Sequence, residues 1–146
     1  MRAQSLEFTF PYFIINTRPH MILLIDDDPV NNIVNTRIIQ KHTGFEVAVY
    51  DDATKALQHL KQCTPIEFPN LIFLDINMPD MDGWNFLESL HSLPAELREE
   101  CRVVMLTSSI DIHDFRRAKT YPFVKDFFSK PLTPEKLDSI EVESLN

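Results

Sequence analysis

Polar side chains follow four of the apolar runs in this sequence, at the position where each run ends. They are three carboxylates, one hydroxyl and one lysine, namely Asp26, Asp27, Asp75, Thr107 and Lys130. Three carboxylates brought together without a counter-charge would repel and raise one another's pKa, and a hard divalent cation such as Mg²⁺ removes that conflict. A carboxylate, a metal, a lysine and a hydroxyl are the groups that phosphoryl transfer needs, and aspartate can be its nucleophile.

Asp75 is the carboxylate whose position has the fewest structural explanations. Four apolar residues, Leu71–Leu74, precede it, as expected for a strand buried on both faces of a parallel sheet. Pro79 prevents the strand from continuing, and Gly83 offers the positive φ that a tight turn often requires. Because open α/β sheets bind ligands just outside the carboxyl ends of their strands, Asp75 is a candidate functional residue.

The elements that must position these side chains alternate along the chain. The predicted strands are Met21–Ile25, Phe45–Tyr50 (at an edge), Leu71–Leu74, Arg102–Leu106 and Phe123–Phe128. A helical pattern follows each strand, which gives five βα units. The alternation predicts an α/β fold with a doubly wound, five-stranded parallel sheet, and such a sheet gathers the polar strand ends at one edge.

The first predicted helix shows how its start and its inner face are read from the pattern. Asp28 is its expected N-cap, since Pro29 suits the first helical position. Its apolar residues recur at helical spacing, which predicts the face that packs on the sheet: Val30, Ile33, Val34 and Ile38.

Composition and charge exclude several classes of function. The 146 residues suit one domain, and a net charge of −8, from 22 acidic and 14 basic residues, disfavours binding to nucleic acid or to an anionic membrane. The chain has two glycines, too few for a glycine-rich phosphate loop. Cys63 and Cys101 form no CxxC pair and indicate free thiols in a reducing cytoplasm.

Residues 1–20 form an extension whose status the sequence leaves open. The segment is apolar and aromatic, but polar residues and Pro11 interrupt it, so it is too short to span a bilayer. It also lacks the features of a signal peptide. Either it is an arm packed on the domain, or Met21 is the true translation start.

Four short motifs now resemble a known family. They are 25–29 (IDDDP), 74–83 (LDINMPDMDG), 106–108 (LTS) and 129–131 (SKP). With these motifs in order at strand ends, residues 21–146 are similar to the receiver domain of two-component response regulators. The resemblance implies the flavodoxin-like strand order 2-1-3-4-5. The last predicted helix finishes close to Asn146, so we expect no effector domain.

The resemblance assigns roles to the acidic residues. It implies that Asp75 is the phosphoacceptor and also a ligand of Mg²⁺. Asp27 would bind the metal directly and Asp26 partly through water, while Asn77 would offer its backbone carbonyl.

The same resemblance assigns the residues that would meet and sense the phosphoryl group. Thr107, the backbone amide of Ser108 and Lys130 would bind the phosphoryl oxygens. Thr107 and Phe127 would form the switch, in which a shift of the threonine lets the aromatic ring rotate inward. The chain departs from the family in two places: a tyrosine is replaced by Phe127, and the segment 120–123 (TYPF) replaces a small, glycine-containing turn.

These features predict a single-domain response regulator that takes a phosphoryl group from a histidine kinase or a histidine phosphotransfer protein. Its signal would pass to a downstream protein through a switched surface, without nucleic acid or membrane, from a cytoplasmic monomer or weak homodimer. We do not expect an enzyme with an external substrate, although the chain is expected to catalyse its own phosphorylation and dephosphorylation.

Two other functions use the same residues differently. A haloacid-dehalogenase-type phosphohydrolase also has an aspartate nucleophile at a strand end, but it needs a second acidic side chain two residues later. Asn77 occupies that position and cannot act as the acid or base. A phosphorylation-independent interaction module of the same fold is the other alternative, and the retained Asp75, Thr107 and Lys130 argue against it.

Overall fold

The computed structural model describes residues 21–140, in which strands and helices alternate. The strands are β1 (Met21–Ile25), β2 (Glu46–Tyr50), β3 (Leu71–Asp75), β4 (Arg102–Thr107) and β5 (Val124–Ser129). The helices are α1 (Pro29–Thr43), α2 (Ala53–Lys61), α3 (Gly83–His91), α4 (Ala95–Arg98), α5 (Ile112–Ala118) and α6 (Pro134–Ser139). The predictions for residues 1–20 lie outside the described residues.

The five strands form one parallel sheet in the order β2-β1-β3-β4-β5. The predicted fold class and the order 2-1-3-4-5 are therefore confirmed, with β2 and β5 at the edges. Because all strands run the same way, the carboxyl ends of β1, β3, β4 and β5 lie along one edge of the sheet.

Side chains of alternate residues along each central strand enter two separate cores. Leu23 and Ile25 of β1 pack on the side of the sheet that α2, α3 and α5 cover, while Ile22 and Leu24 pack on the side of α1 and α6. All five residues of β3 are buried. A strand covered on both faces explains the continuous apolar run before Asp75.

The predicted inner face of α1 is wrong. Three of its four residues point to solvent, with exposed fractions of 66% for Val30, 55% for Ile33 and 45% for Val34, and Ile38 is half-buried. Most of the apolar stripe of α1 is therefore a surface feature of the described domain.

The residues that α1 buries against the sheet are Asn32, Asn35 and Ile39. Asn32 explains this orientation, because its side-chain Nδ2 donates to the backbone carbonyl of Asp26 at 2.7 Å. The helix begins where Asp28 caps it, accepting hydrogen bonds from the backbone amides of Val30 and Asn31. A polar inner face is possible here because the buried amide satisfies a backbone group at the end of β1.

The loop after Asp75 also differs from the prediction in one respect. The residue with positive φ is Asp80, at 65°, whereas Gly83 begins α3 and lies outside the left-handed region. A Cβ at Gly83 would lie 2.9 Å from the Ile76 Cα and 3.0 Å from the Asp75 carbonyl oxygen. Glycine is therefore needed at this position for close packing and not for backbone conformation.

No helix within residues 21–140 is long and apolar enough to cross a bilayer.

Candidate functional site at the carboxyl edge of the sheet

Three carboxylates converge at the ends of β1 and β3. Asp26 is fully buried, Asp75 is 4% exposed and Asp27 is exposed, and one oxygen of each lies within 4.8 Å of the others. The backbone amide of Asp28 donates to Asp26 Oδ1 at 2.9 Å, which fixes the orientation of that carboxylate. The cluster is thus buried on one side and open to solvent at Asp27.

Lys130 brings a positive charge to the two buried carboxylates. Its Nζ lies 3.0 Å from Asp26 Oδ2 and 3.2 Å from Asp75 Oδ2. The lysine follows β5, and its backbone amide donates to the Thr107 carbonyl at 2.7 Å, which ties it to β4. Residues from β1, β3 and β5 therefore meet at one point, as the sequence predicts.

Burial and the charge of Asp26 raise the pKa of Asp75 from 3.8 to about 6, against the opposing effects of Lys130 and of the Asn77 amide. Burial lowers the pKa of Lys130, but Asp26 and Asp75 outweigh that effect and hold it above the ordinary value. The negative charge of Asp75 is consequently destabilising unless a further cation lies beside it.

This carboxylate set fits a hard divalent cation. Asp26, Asp27 and Asp75 each offer one oxygen, and two of the three are buried close together with Lys130 beside them as a counter-charge. The exposed Asp27 leaves a side through which water ligands could complete the coordination, as Mg²⁺ prefers.

The other residues predicted for the site lie at the same edge. Thr107 is 2% exposed, and its hydroxyl donates to the Ser109 carbonyl at 2.9 Å and accepts from the Ser109 amide at 3.3 Å. Ser108 is exposed. The Asn77 backbone amide donates to Asp75 Oδ1 at 3.2 Å, which holds the carboxylate from the side of the β3–α3 loop.

Phe127, the predicted switch aromatic, is in the core. Its exposed fraction is 7%, and its ring meets that of Phe115 on α5 edge-on, at a centroid distance of 5.9 Å. Its part in a switch stays a prediction, and the contact that would transmit it is with α5.

Two polar residues at this edge were not predicted from the sequence. Asn32 holds the Asp26 carbonyl from α1, and Lys136 of α6 donates to the carbonyls of Ser129 and Pro131. Asn32 lies six residues after Asp26, and its buried position was not predicted because the apolar residues beside it indicated a different inner face for α1. Lys136 resembles an ordinary surface lysine of a short helix, and no local pattern distinguishes it.

A second set of side chains that the sequence did not predict joins α3 to the β4–β5 connection. It lies on the opposite side of the sheet from α1. The rings of Trp84 and Tyr121 stack at 6.4 Å, and the Arg117 guanidinium lies 4.4 Å from the centre of the Trp84 ring. The Tyr121 hydroxyl donates to the Glu88 carboxylate. The unusual segment 120–123 therefore fixes the end of α5 to α3.

Comparison with known proteins agrees with this architecture. The family model described as "Response regulator receiver domain" matches residues 22–140. The "Probable transcriptional regulator ycf27" of Porphyridium aerugineum is 33% identical over 81% of this chain. A "Two component response regulator" structure from Cytophaga hutchinsonii is 31% identical, with a TM-score of 0.76 over 86% of this chain and 96% of that one.

A response regulator receiver protein from Dyadobacter fermentans is 26% identical, with a TM-score of 0.73 over 82% of this chain and 93% of that one. The first curated relatives are longer than this chain. The chain spans 45% of the Porphyridium regulator and 10% of a hybrid histidine kinase from Dictyostelium discoideum that it also matches.

Proposed function

Because the chain belongs to the response regulator receiver domain family of two-component signalling, we propose that Asp75 accepts a phosphoryl group from a histidine kinase or a histidine phosphotransfer protein. The observation that carries the proposal is that the Lys130 Nζ lies within 3.2 Å of a carboxylate oxygen of Asp26 and of one of the buried Asp75. An ion pair made only for stability would not need a third, exposed carboxylate beside it.

The proposed step is an in-line transfer. A carboxylate oxygen of Asp75 forms the new P–O bond as the P–N bond of the donor's phosphohistidine breaks, and the bonding electron pair returns to the donor imidazole. Lys130 would bind one oxygen of the transferred group. The Thr107 hydroxyl would leave Ser109 to bind another, together with the backbone amide of the exposed Ser108.

The metal that this chemistry calls for is Mg²⁺. Asp26, Asp27 and Asp75, with the backbone carbonyl of Asn77, would hold it. When bound, it would supply positive charge that neutralises the carboxylates and the oxygens of the phosphoryl group. Asp75 would contribute the nucleophile, and the carboxylates of Asp26 and Asp27 would position the metal.

The donor would dock on the apolar stripe of α1. Its residues Val30, Ile33 and Val34 are exposed, and Val30 lies three residues after Asp27 in the chain. A protein that brings a phosphohistidine to Asp75 must cover this edge of the sheet, and an exposed apolar patch beside a reactive group suits a protein partner. The side chains of this stripe have little part in the core.

The output would be a change in a protein-binding surface and not turnover of an external substrate. Thr107 would move toward the phosphoryl group, and the change would reach α5 through Phe127 and its contact with Phe115. We propose that a downstream protein reads this surface, and that the chain works in the cytoplasm as a monomer or weak homodimer. The two free, buried thiols are consistent with a reducing compartment.

The direct test is phosphorylation by a small donor. Incubation with acetyl phosphate and Mg²⁺, followed by intact-mass measurement, should give one phosphoryl adduct. The adduct should be absent in Asp75→Asn and after EDTA, and should persist in the control Glu46→Gln, which changes an exposed carboxylate at the amino end of β2, on the opposite edge of the sheet. An adduct that survives Asp75→Asn would refute the assignment, and no adduct despite Mg²⁺ binding would favour an interaction module.

The docking proposal has a separate test. Ile33→Ser should slow phosphorylation by a phosphorylated histidine phosphotransfer protein and leave the rate with acetyl phosphate unchanged, since Ile33 lies outside the reacting groups. Val49→Ser, at an exposed valine on edge strand β2, is the matched control. Equal slowing with both donors would mean that the substitution damages the site and not the docking.

A further inference from the structure

Lys136 of α6 reaches back to the segment that carries Lys130. Its Nζ lies 2.5 Å from the carbonyl oxygen of Ser129 and 2.9 Å from that of Pro131. These two residues flank Lys130, so one ammonium group holds the backbone on both sides of it. We propose that Lys136 is a positioning residue for Lys130 during phosphoryl transfer, an inference that rests on the proposed function.

The segment around Lys130 needs such a partner because of its place in the fold. Ser129 is the last residue of β5, an edge strand that pairs with β4 on one side. The Lys130 amide is bonded to the Thr107 carbonyl, but Pro131 has no N–H to offer. A donor from outside the strand is therefore well placed to hold the Ser129–Lys130 peptide, which adjoins the Lys130 Cα, and the Pro131 carbonyl one residue further along the chain.

Helix α6 holds Lys136 in the required place. The Thr133 hydroxyl caps the helix by accepting from the Lys136 amide at 3.2 Å, and the neighbouring Leu137 is fully buried in the core shared with α1. The buried leucine fixes the rotation of the helix, and the half-buried lysine beside it then faces the end of β5. An ammonium group has three N–H donors, and two of them are used here.

The reaction is sensitive to this positioning. Lys130 Nζ must stay near Asp26 and Asp75, at 3.0 and 3.2 Å, and must also meet an oxygen of the incoming group. A displacement of about 1 Å in a reacting site can cost up to about a hundredfold in rate. A loosened Lys130 backbone should therefore slow phosphoryl transfer without removing any group that touches the phosphorus or the metal.

The test compares initial rates of adduct formation with acetyl phosphate at saturating Mg²⁺. Lys136→Met keeps the apolar stem but removes the donors, and we expect its rate to fall about tenfold. Lys136→Arg should restore most of the rate because the guanidinium can again donate to both carbonyls. Lys125→Met, at an exposed lysine of β5, should leave the rate unchanged.

A double-mutant cycle separates positioning from a general effect on the fold. In a Lys130→Met background there is no ammonium left to aim, so adding Lys136→Met should cause no further loss of rate. A further loss of similar size in that background, or a rate for Lys136→Met within about twofold of the wild type, would overturn the inference. If the unmodified chain forms no adduct, the proposed function itself fails; with an adduct present, these comparisons test Lys136 alone.

Discussion

The hydroxyl of Tyr121 donates a hydrogen bond to the carboxylate of Glu88, and this bond joins the β4–β5 connection to α3. Trp84 stacks on the same tyrosine and Arg117 lies over the Trp84 ring, so α5 is fixed to α3 at its carboxyl end. The amino end of α5 carries no such link among the described contacts, and Ile110 and Ile112 there are exposed. A change that starts at Thr107 would move this amino end first.

Tyr121→Phe removes the hydrogen bond and keeps the stacked ring. Because Glu88 is exposed, we expect a modest loss of about 0.5–1.5 kcal/mol in the free energy of unfolding. Urea denaturation followed by Trp84 fluorescence measures it. Glu88→Gln should lose a similar amount, and the two substitutions together should cost no more than either one; fully additive losses would show that the bond is not shared.

Asp75 should make the stability of the metal-free chain depend on pH. Its pKa of about 6 in the folded chain exceeds the ordinary 3.8, so folding favours the protonated carboxyl group. The stabilisation from this group is complete below pH 3.8 and is lost as the pH rises through about 6. We expect this carboxyl group by itself to lower the free energy of unfolding by about 2 kcal/mol between about pH 4 and pH 7.

The variant Asp75→Asn isolates this contribution, because asparagine does not titrate. In EDTA it should unfold at higher denaturant concentration than the wild type near pH 7–8, with the difference vanishing toward about pH 4. Other groups titrate in both chains, so the difference between the two curves is the quantity to measure. A constant difference across the whole range would contradict the raised pKa.

Gly83→Ala and Gly44→Ala form a matched pair that separates contact from conformation. A methyl group at Gly83 would collide with the Ile76 Cα and the Asp75 carbonyl, so we expect a loss of about 1–3 kcal/mol in stability together with weaker Mg²⁺ binding. At Gly44 no atom lies within 4 Å, but φ is 76°, so alanine should cost about 1–2 kcal/mol of backbone strain and leave Mg²⁺ binding unchanged. Calorimetry of Mg²⁺ binding distinguishes the two effects.

Asn32→Ala tests the polar inner face of α1. It leaves the buried Asp26 carbonyl without the amide at 2.7 Å, and we expect about 1–3 kcal/mol of destabilisation. Asn31→Ala, one position along the helix and half-buried, should cost less than 1 kcal/mol, because it leaves the hydrogen bond to the buried Asp26 carbonyl intact. Similar losses for both would mean that the Asn32 bond adds little.

The sequence was a good guide wherever a signal is local and periodic. The apolar runs ending in Asp26, Asp75 and Thr107 predicted both the parallel sheet and the shared edge, because strand direction alone brings those positions together. The strand order came from the resemblance, since the period of a strand does not say which strand lies beside it.

Signals that depend on tertiary contact were not readable in the same way. The apolar spacing on α1 predicted the wrong face, because a buried hydrogen bond from the Asn32 side-chain amide to the end of β1 decides the rotation of the helix. The role of Gly83 is a close approach to Ile76, which no local pattern encodes. Lys136 and Ser129 are seven residues apart and meet only because α6 folds back beside the end of β5.

The outward orientation of Val30, Ile33 and Val34 has a consequence for how such a protein can diverge. Since exposed positions contribute little to folding, substitutions there change the stability of the domain very little. Duplicated copies of the gene could therefore accumulate different residues along α1 and stop responding to one another's donors, while the acidic cluster and both cores stayed the same. Insulation between parallel signalling routes would then require no redesign of the domain.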